Sequence, residues 1–232
     1  MAKKYERENR NPRQIIRIDG SDSFMEIVAP TPDFNKIIVN VIKYNKETKK
    51  QIFLISNYFE ISEWLQLCHY MKFGRVTKEV EAAKANLSSN PYPRVRLKQG
   101  GSEKDGKIVA RTMFFSPATK SKNAQVMLCV ERGAGNKTPE GLFYIDYKGS
   151  NIERASVPLT YEDLDKIAII SEARISAYLT ARQIRGDFDD EVRDRATSDG
   201  TAEGLKNTSS TPSYAGPDTQ IVDQIDELRA FY

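Results

Sequence analysis

Arg94, Arg96 and Lys98 alternate with Val95 and Leu97 in "PRVRLKQ" (93–99), and Lys107 and Arg111 share one side of "KIVARTMFFSP" (107–117). A strand sends successive side chains to opposite faces, so pairing these two runs projects all these cations from adjacent strands. Lys120 and Lys122 follow in the basic loop "PATKSKN". Tyr144 and Lys148 share the outward side of "LFYIDYKG" (142–149), with Asp146 between them. Nearer the start, Arg17, Lys36, Lys43 and Tyr44 are weaker counterparts. Cations track phosphates, and exposed rings stack on unpaired bases at ~1–3 kcal/mol per base. These residue types suit the capture of single-stranded DNA, or of RNA, since neither contact depends on the 2′-hydroxyl. Duplex reading usually places a helix or ribbon in a groove, and neither expected helix is notably basic on its exposed face. The plain alternative is that outward Arg and Lys keep a sheet dissolved and guard its edges.

Catalytic arrangements are not evident. His69 is the only histidine, so a Ser-His-Asp or Cys-His set would have to run through it, and it falls inside an apolar helical pattern. "GAGNKTPEG" (133–141) has the glycines of a phosphate loop without its spacing and lies between strand-like runs, which reads as a hairpin turn. Cys68 and Cys129 both sit in apolar runs and read as buried thiols; two cysteines and one histidine argue against a metal site. Asp189 and Asp190 fall in a stretch too polar to preorganise chemistry. No acid pair recurs at equivalent positions in the two halves, as a carboxylate–metal nuclease would need. The expectation is a protein that binds, without catalysis, cofactor or metal.

The elements that carry the cations form a repeated order. "RQIIRID" (13–19), "SFMEIVAP" (23–30), "NKIIVNVIKYN" (35–45) and "KQIFLIS" (50–56) read as strands, the last two joined by a short polar turn. In "FEISEWLQLCHYMKFG", Ile61, Trp64, Leu65, Cys68 and Met71 recur at helical spacing, and Gly74 is a stop. Residues 75–92 form a connector, its Ala/Glu/Lys part helical in character, ended by "SSNPYP". Then 93–99, 107–117, 124–132 and 142–149 read as four more strands. Thr160 and Asp163 resemble a capping box opening a long helix, with Leu164, Ile167, Ala168, Ser171, Ile175, Tyr178 and Leu179 on one stripe up to about Arg185. The fold class expected is therefore α+β: two tandem antiparallel four-stranded sheets, each followed by a helix, over residues 13–185.

Residues 1–12 are charged, turn-rich and read as flexible. Residues 186–220 are polar and aperiodic, which reads as a disordered tail. Residues 186–232 carry a net charge of −7 and the preceding body +10, against +3 for the whole chain. A basic body with an acidic tail suggests a polyanion and a tail that competes with it. In "TQIVDQIDELRAFY", Ile221, Ile225, Leu228 and Tyr232 recur at helical spacing and Phe231 widens the stripe. This short amphipathic helix, 221–232, is expected to dock on a partner protein or on the body itself, through Ile225, Leu228, Phe231 and Tyr232. No apolar run approaches the ~20 residues of a membrane span, and the first residues are not a secretory signal. A cytoplasmic protein of a phage or mobile element is expected.

The tandem units, and above all "AQVMLCVERGAGNKTPEGLFYIDYKGSNIERASVPLTYEDLDKIAIISEARISAYL", resemble the Whirly-type single-stranded DNA-binding fold and the transcriptional positive-cofactor single-strand binders, the latter using one such unit per subunit. The lysine-rich DNA-binding motif of the plant family has no counterpart on this chain. The resemblance implies a dimer or tetramer that binds single-stranded DNA with little sequence preference, with Trp64 and Ile167 in helix packing. The acidic tail and its aromatic end are similar in kind to those of bacterial and phage single-strand binders, which recruit replication and recombination proteins. The rival expectation is a structural or adaptor protein, such as a virion or assembly component, whose sheets self-associate.

Overall fold

β-Branched and aromatic residues concentrate in the runs that become strands. The computed structural model describes residues 11, 13–31, 34–148 and 151–186. Strands β1 (Gln14–Asp19), β2 (Ser23–Val28), β3 (Lys36–Tyr44) and β4 (Gln51–Glu60) form one antiparallel sheet in that order. Helices α1 (Ile61–Lys72) and α2 (Arg75–Ala85) follow, so the start of the connector is helical. Gly74 separates them at φ +69, a backbone position that costs a glycine nothing. A second antiparallel sheet holds β5 (Val95–Lys104), β6 (Lys107–Pro117), β7 (Val126–Lys137), β8 (Phe143–Ile145) and β9 (Glu153–Leu159), and α3 (Tyr161–Arg185) ends the order. The chain is α+β, with two antiparallel sheets each followed by a helix. No helix among the described residues is long and apolar enough to cross a membrane. Residues 1–10, residue 12, the tail beyond Gly186 and the 221–232 tip, including Ile225, Leu228, Phe231 and Tyr232, lie outside the described residues.

One correction concerns the fourth place of the second sheet. It is not the single strand expected over 142–149 but is shared by β8, paired with Gly135–Lys137 of β7, and β9, paired with Val126–Arg132. The chain leaves the sheet after Ile145, where the Asp146 carboxylate accepts the Lys148 backbone N–H at 2.9 Å. Residues Glu153–Leu159 then alternate as a strand, burying Ala155, Val157 and Leu159.

The core faces follow the strand period. Met25, Ile27, Val39, Val41 and Ile55 are buried on one side of the first sheet, and Met113, Phe115, Leu128, Val130 and Val157 on one side of the second. Trp64, Cys68 and Met71 of α1 and Val76 and Val80 of α2 are buried too, with Trp64 edge-on to Phe59 at 5.1 Å between ring centres. Packing divides the chain into two units after Arg174, within α3. In the first unit, Leu164, Ile167, Ala168 and Ser171 are the buried helical stripe, and Lys72 of α1 pairs with Glu172 at 2.8 Å. In the second, Ile175 and Arg182 are buried and the Arg182 guanidinium lies 6.0 Å from the Tyr178 ring centre.

The expected capping box is present: Asp163 Oδ2 accepts the Thr160 backbone N–H at 2.9 Å, and the Asp163 N–H donates to the Thr160 hydroxyl at 3.1 Å. Burial by itself raises the Asp163 carboxyl, but the Thr160 donors and Lys166 outweigh it and hold it below its ordinary 3.8. A carboxyl depressed in the folded state stabilises above its unfolded value and loses that contribution as pH falls through its folded one. Asp163→Ala should therefore cost about 1 kcal/mol at neutral pH, and its melting-temperature deficit should shrink as pH drops below 3.8, which thermal unfolding against pH measures.

The far end of the second sheet curls, because β8 reaches back over β5. Phe143 lies on Gly101, where a Cβ would stand 2.5 Å from the ring, and a Cβ at Gly135 would meet Ala110 at 2.5 Å. Gly101→Ala should cost about 1–3 kcal/mol by overpacking, whereas at Gly100 the nearest neighbour of a Cβ is the flexible Arg111 side chain at 3.7 Å. Urea unfolding should show the first variant destabilised and Gly100→Ala close to wild type.

Candidate nucleic-acid interface

The cations of β5 do not form one row. Arg96 has φ +54, and the pairing slips between Val95↔Phe115 and Lys98↔Met113. A residue in the left-handed region breaks the alternation, so Leu97, expected inward, is 42% exposed. Arg96 pairs with Glu79 of α2 and lies 4.4 Å from the Tyr70 ring centre. Lys98 pairs with Glu63 of α1 at 2.6 Å and sits 5.2 Å from the Phe59 ring centre. Both tie the strand to the helices. Burial raises the Glu63 carboxyl, but Lys98 and the Glu60 N–H bring it below its ordinary value.

Other expected residues do come together. Lys107 and Arg111 lie on the same side of β6, and register places Arg132 of β7 opposite Arg111. Tyr144 of β8 stands opposite Asn136 of β7, and so on that same side. Here the second sheet meets β4: the Arg111 guanidinium lies 4.8 Å from the Tyr58 ring centre, and Arg132 donates to the Leu54 carbonyl at 2.9 Å and to Glu153 at 2.6 Å. Lys120 and Lys122 are exposed in the β6–β7 loop, and Lys148 is exposed beyond β8; none forms an ion pair with a described carboxylate.

On the first sheet, Arg17 pairs with Asp19 at 2.7 Å and lies 3.6 Å over the Phe24 ring. Phe24 and Tyr44 are 6.2 Å apart, and the Tyr44 hydroxyl donates to the Gly20 carbonyl at 3.2 Å. Lys43 pairs with Asp22 at 2.7 Å, which lowers the Asp22 carboxyl, and Lys36 pairs with Glu60 at 3.2 Å.

Arg94 is on the opposite face from Lys107 and Arg111, in a cluster that the alternation rule missed. Glu131 of β7 is buried there. Its Oε2 accepts Arg94 Nη2 at 2.9 Å and the Tyr147 hydroxyl at 2.7 Å, and its Oε1 accepts Arg154 Nε at 3.0 Å. Arg94 also donates to the Tyr147 oxygen at 2.6 Å and is stacked 4.8 Å from the Phe114 ring centre. Burial and the Glu131 hydrogen bond push the Tyr147 phenol up, so it stays a donor. The available signal was Glu131 itself, an acid inside the apolar run "AQVMLCVER", which must find partners.

Among the described residues, no group of three or more His, Cys, Asp and Glu side chains could hold a metal ion. Burial pushes the Cys68 thiol up to about 12 and Cys129 to about 11, so both are protonated at neutral pH. Glu131→Ala strands the Arg94 and Tyr147 donors and should cost about 1–3 kcal/mol, read as a lower urea midpoint. The chain matches no protein-family model and no curated protein.

Proposed function

We propose that this protein binds single-stranded nucleic acid with little sequence preference, in the manner of the Whirly-type and positive-cofactor proteins it resembles. One observation carries the reading. Lys107, Arg111 and Arg132 share a face of the second sheet with Tyr144, which is 41% exposed, at the place where Tyr58 of the first sheet approaches. Cations beside an exposed ring suit a flexible strand, whose phosphates and bases can each find a partner. No described helix offers a comparable basic face for a duplex groove. In this reading the protein covers strands during replication, transfer or recombination as a homo-oligomer in the cytoplasm, and its C-terminal segment recruits other proteins of those processes.

The rival, a structural or adaptor protein, draws on a different observation. Phe73, Ile169 and Ile170 are exposed on or beside helices, and many cations are already held by carboxylates. Salt separates the two, because affinity for a single strand falls with log[salt] by about 0.7 per phosphate neutralised. Fluorescence anisotropy of a labelled strand of ~30 nucleotides, long enough for several ~4–16-nucleotide contacts, should show tighter binding than its duplex. Arg111→Gln and Lys107→Gln should each weaken binding and flatten the salt slope. No binding by the full chain at low salt would sink the proposal and leave self-association as the reading.

A further inference from the structure

The cluster around Glu131 is on the opposite side of the second sheet from Arg111, and its charges are arranged unlike the other ion pairs. In the other ion pairs the acid stays more open to solvent, from 22% for Asp163 beside Lys166 through 40% for Glu153 beside Arg132 to 61% for Asp19 beside Arg17. A phosphate approaching those arginines meets a carboxylate too. The Glu131 side chain is only 10% exposed, and it lies beneath two guanidiniums. The cluster therefore carries a net positive charge with its negative member inside.

Its parts are not equally available. Arg94 spends one terminal nitrogen on Tyr147 and the other on Glu131, and its guanidinium lies 4.8 Å from the Phe114 ring centre. It is a structural strut. Arg154 spends only Nε on Glu131; its side chain is 61% exposed and its terminal nitrogens bond no described residue. Tyr147 is held at its hydroxyl from both sides while the residue remains 46% exposed. A fixed ring and a fixed guanidinium edge thus meet over one carboxylate. Preorganisation of this kind removes the ordering cost that a loose surface side chain incurs on binding.

We propose that Tyr147 and Arg154 form a one-nucleotide subsite for a single strand, the ring stacking on an unpaired base and the guanidinium holding a neighbouring phosphate, with Glu131 as the positioning residue. The inference rests on the nucleic-acid reading and extends it to the second face of the sheet. A strand reaches both faces by crossing the edge between β8 and β9, where Arg132 with Glu153 on one side stands beside Glu131 with Arg154 on the other.

The test measures the full-length chain on two labelled probes of equal length, an oligothymidylate and an abasic sugar-phosphate strand, across a salt series. Tyr147→Leu should weaken oligothymidylate binding roughly tenfold, the scale of one lost stack, and leave the abasic strand unchanged. Tyr147→Phe keeps the ring and should retain most of the preference for bases. Arg154→Gln should weaken both probes and reduce the salt slope by about 0.7. If Tyr147→Leu melts early, Arg154→Gln at its exposed position decides. Equal loss on both probes in Tyr147→Leu, or an unchanged slope in Arg154→Gln, overturns the subsite while wild-type binding upholds the broader reading. Wild-type protein that binds neither probe overturns that broader reading itself.

Discussion

A carboxylate on the central strand of the second sheet organises the polar chemistry of that half. Glu131 lies between Val130 and Arg132 on β7, and its side chain turns to the face away from the core. A buried charge without partners costs several kcal/mol, so the chain must bring donors to it. They come from three separate places: Arg94 ahead of β5, Tyr147 beyond β8, and Arg154 on β9. Satisfying one acid therefore ties the first strand of the sheet to both parts of its divided outer position. The curl that folds Phe143 over Gly101 helps close this face, on which Phe114 and Ala110 are buried.

The first sheet meets the same constraint without arginine. Glu26 on β2 is also buried, and it accepts the Asn40 amide at 2.9 Å; Asn40 in turn accepts the Ser56 hydroxyl at 2.7 Å. These residues stand opposite one another in register, so a polar row crosses three strands. Arg17, paired in register with Glu26, turns instead to Asp19 and Phe24. An amide relay leaves this row acidic, whereas two guanidiniums leave the other row cationic. The two halves share an element order but differ in what they offer an anion, and the second sheet is the better candidate on each of its faces.

The order of elements was legible because it depends on short-range pattern. Alternating β-branched residues mark β1 to β4, the Leu164–Ile167–Ala168–Ser171 spacing marks α3, and Thr160 with Asp163 marks its start, since a capping box is decided within one turn. The faces were less legible. One residue with positive φ, Arg96, reverses the alternation of β5, and no composition rule announces it. "LFYIDYKG" reads as one strand because its alternation continues through Asp146, although the Asp146 side chain turns the chain there. Partners of cations were invisible for another reason: Glu79, Glu63 and Tyr58 reach Arg96, Lys98 and Arg111 only through tertiary packing. The buried acids were the missed clue, since Glu26 and Glu131 both interrupt apolar runs and each marks a polar row.

The charge of the body is therefore a poor measure of what a polyanion would meet. Lys46, Lys120 and Lys122 stand in turns and loops with no described carboxylate in ion-pair range, on long flexible stems that attract from a distance and are screened beyond about 10 Å at 0.1 M salt. Three arginines of the sheets or beside them are instead held close to a ring: Arg17 on Phe24, Arg94 on Phe114, Arg111 on Tyr58. Lysine loops of this kind steer an encounter, whereas rigid arginine–aromatic pairs hold what arrives by short-range contact that salt screens far less. Under the proposed function, such a distribution would retain a strand more than attract one, through contacts on the sheets, where Glu131 and the strand register set the geometry of the side chains.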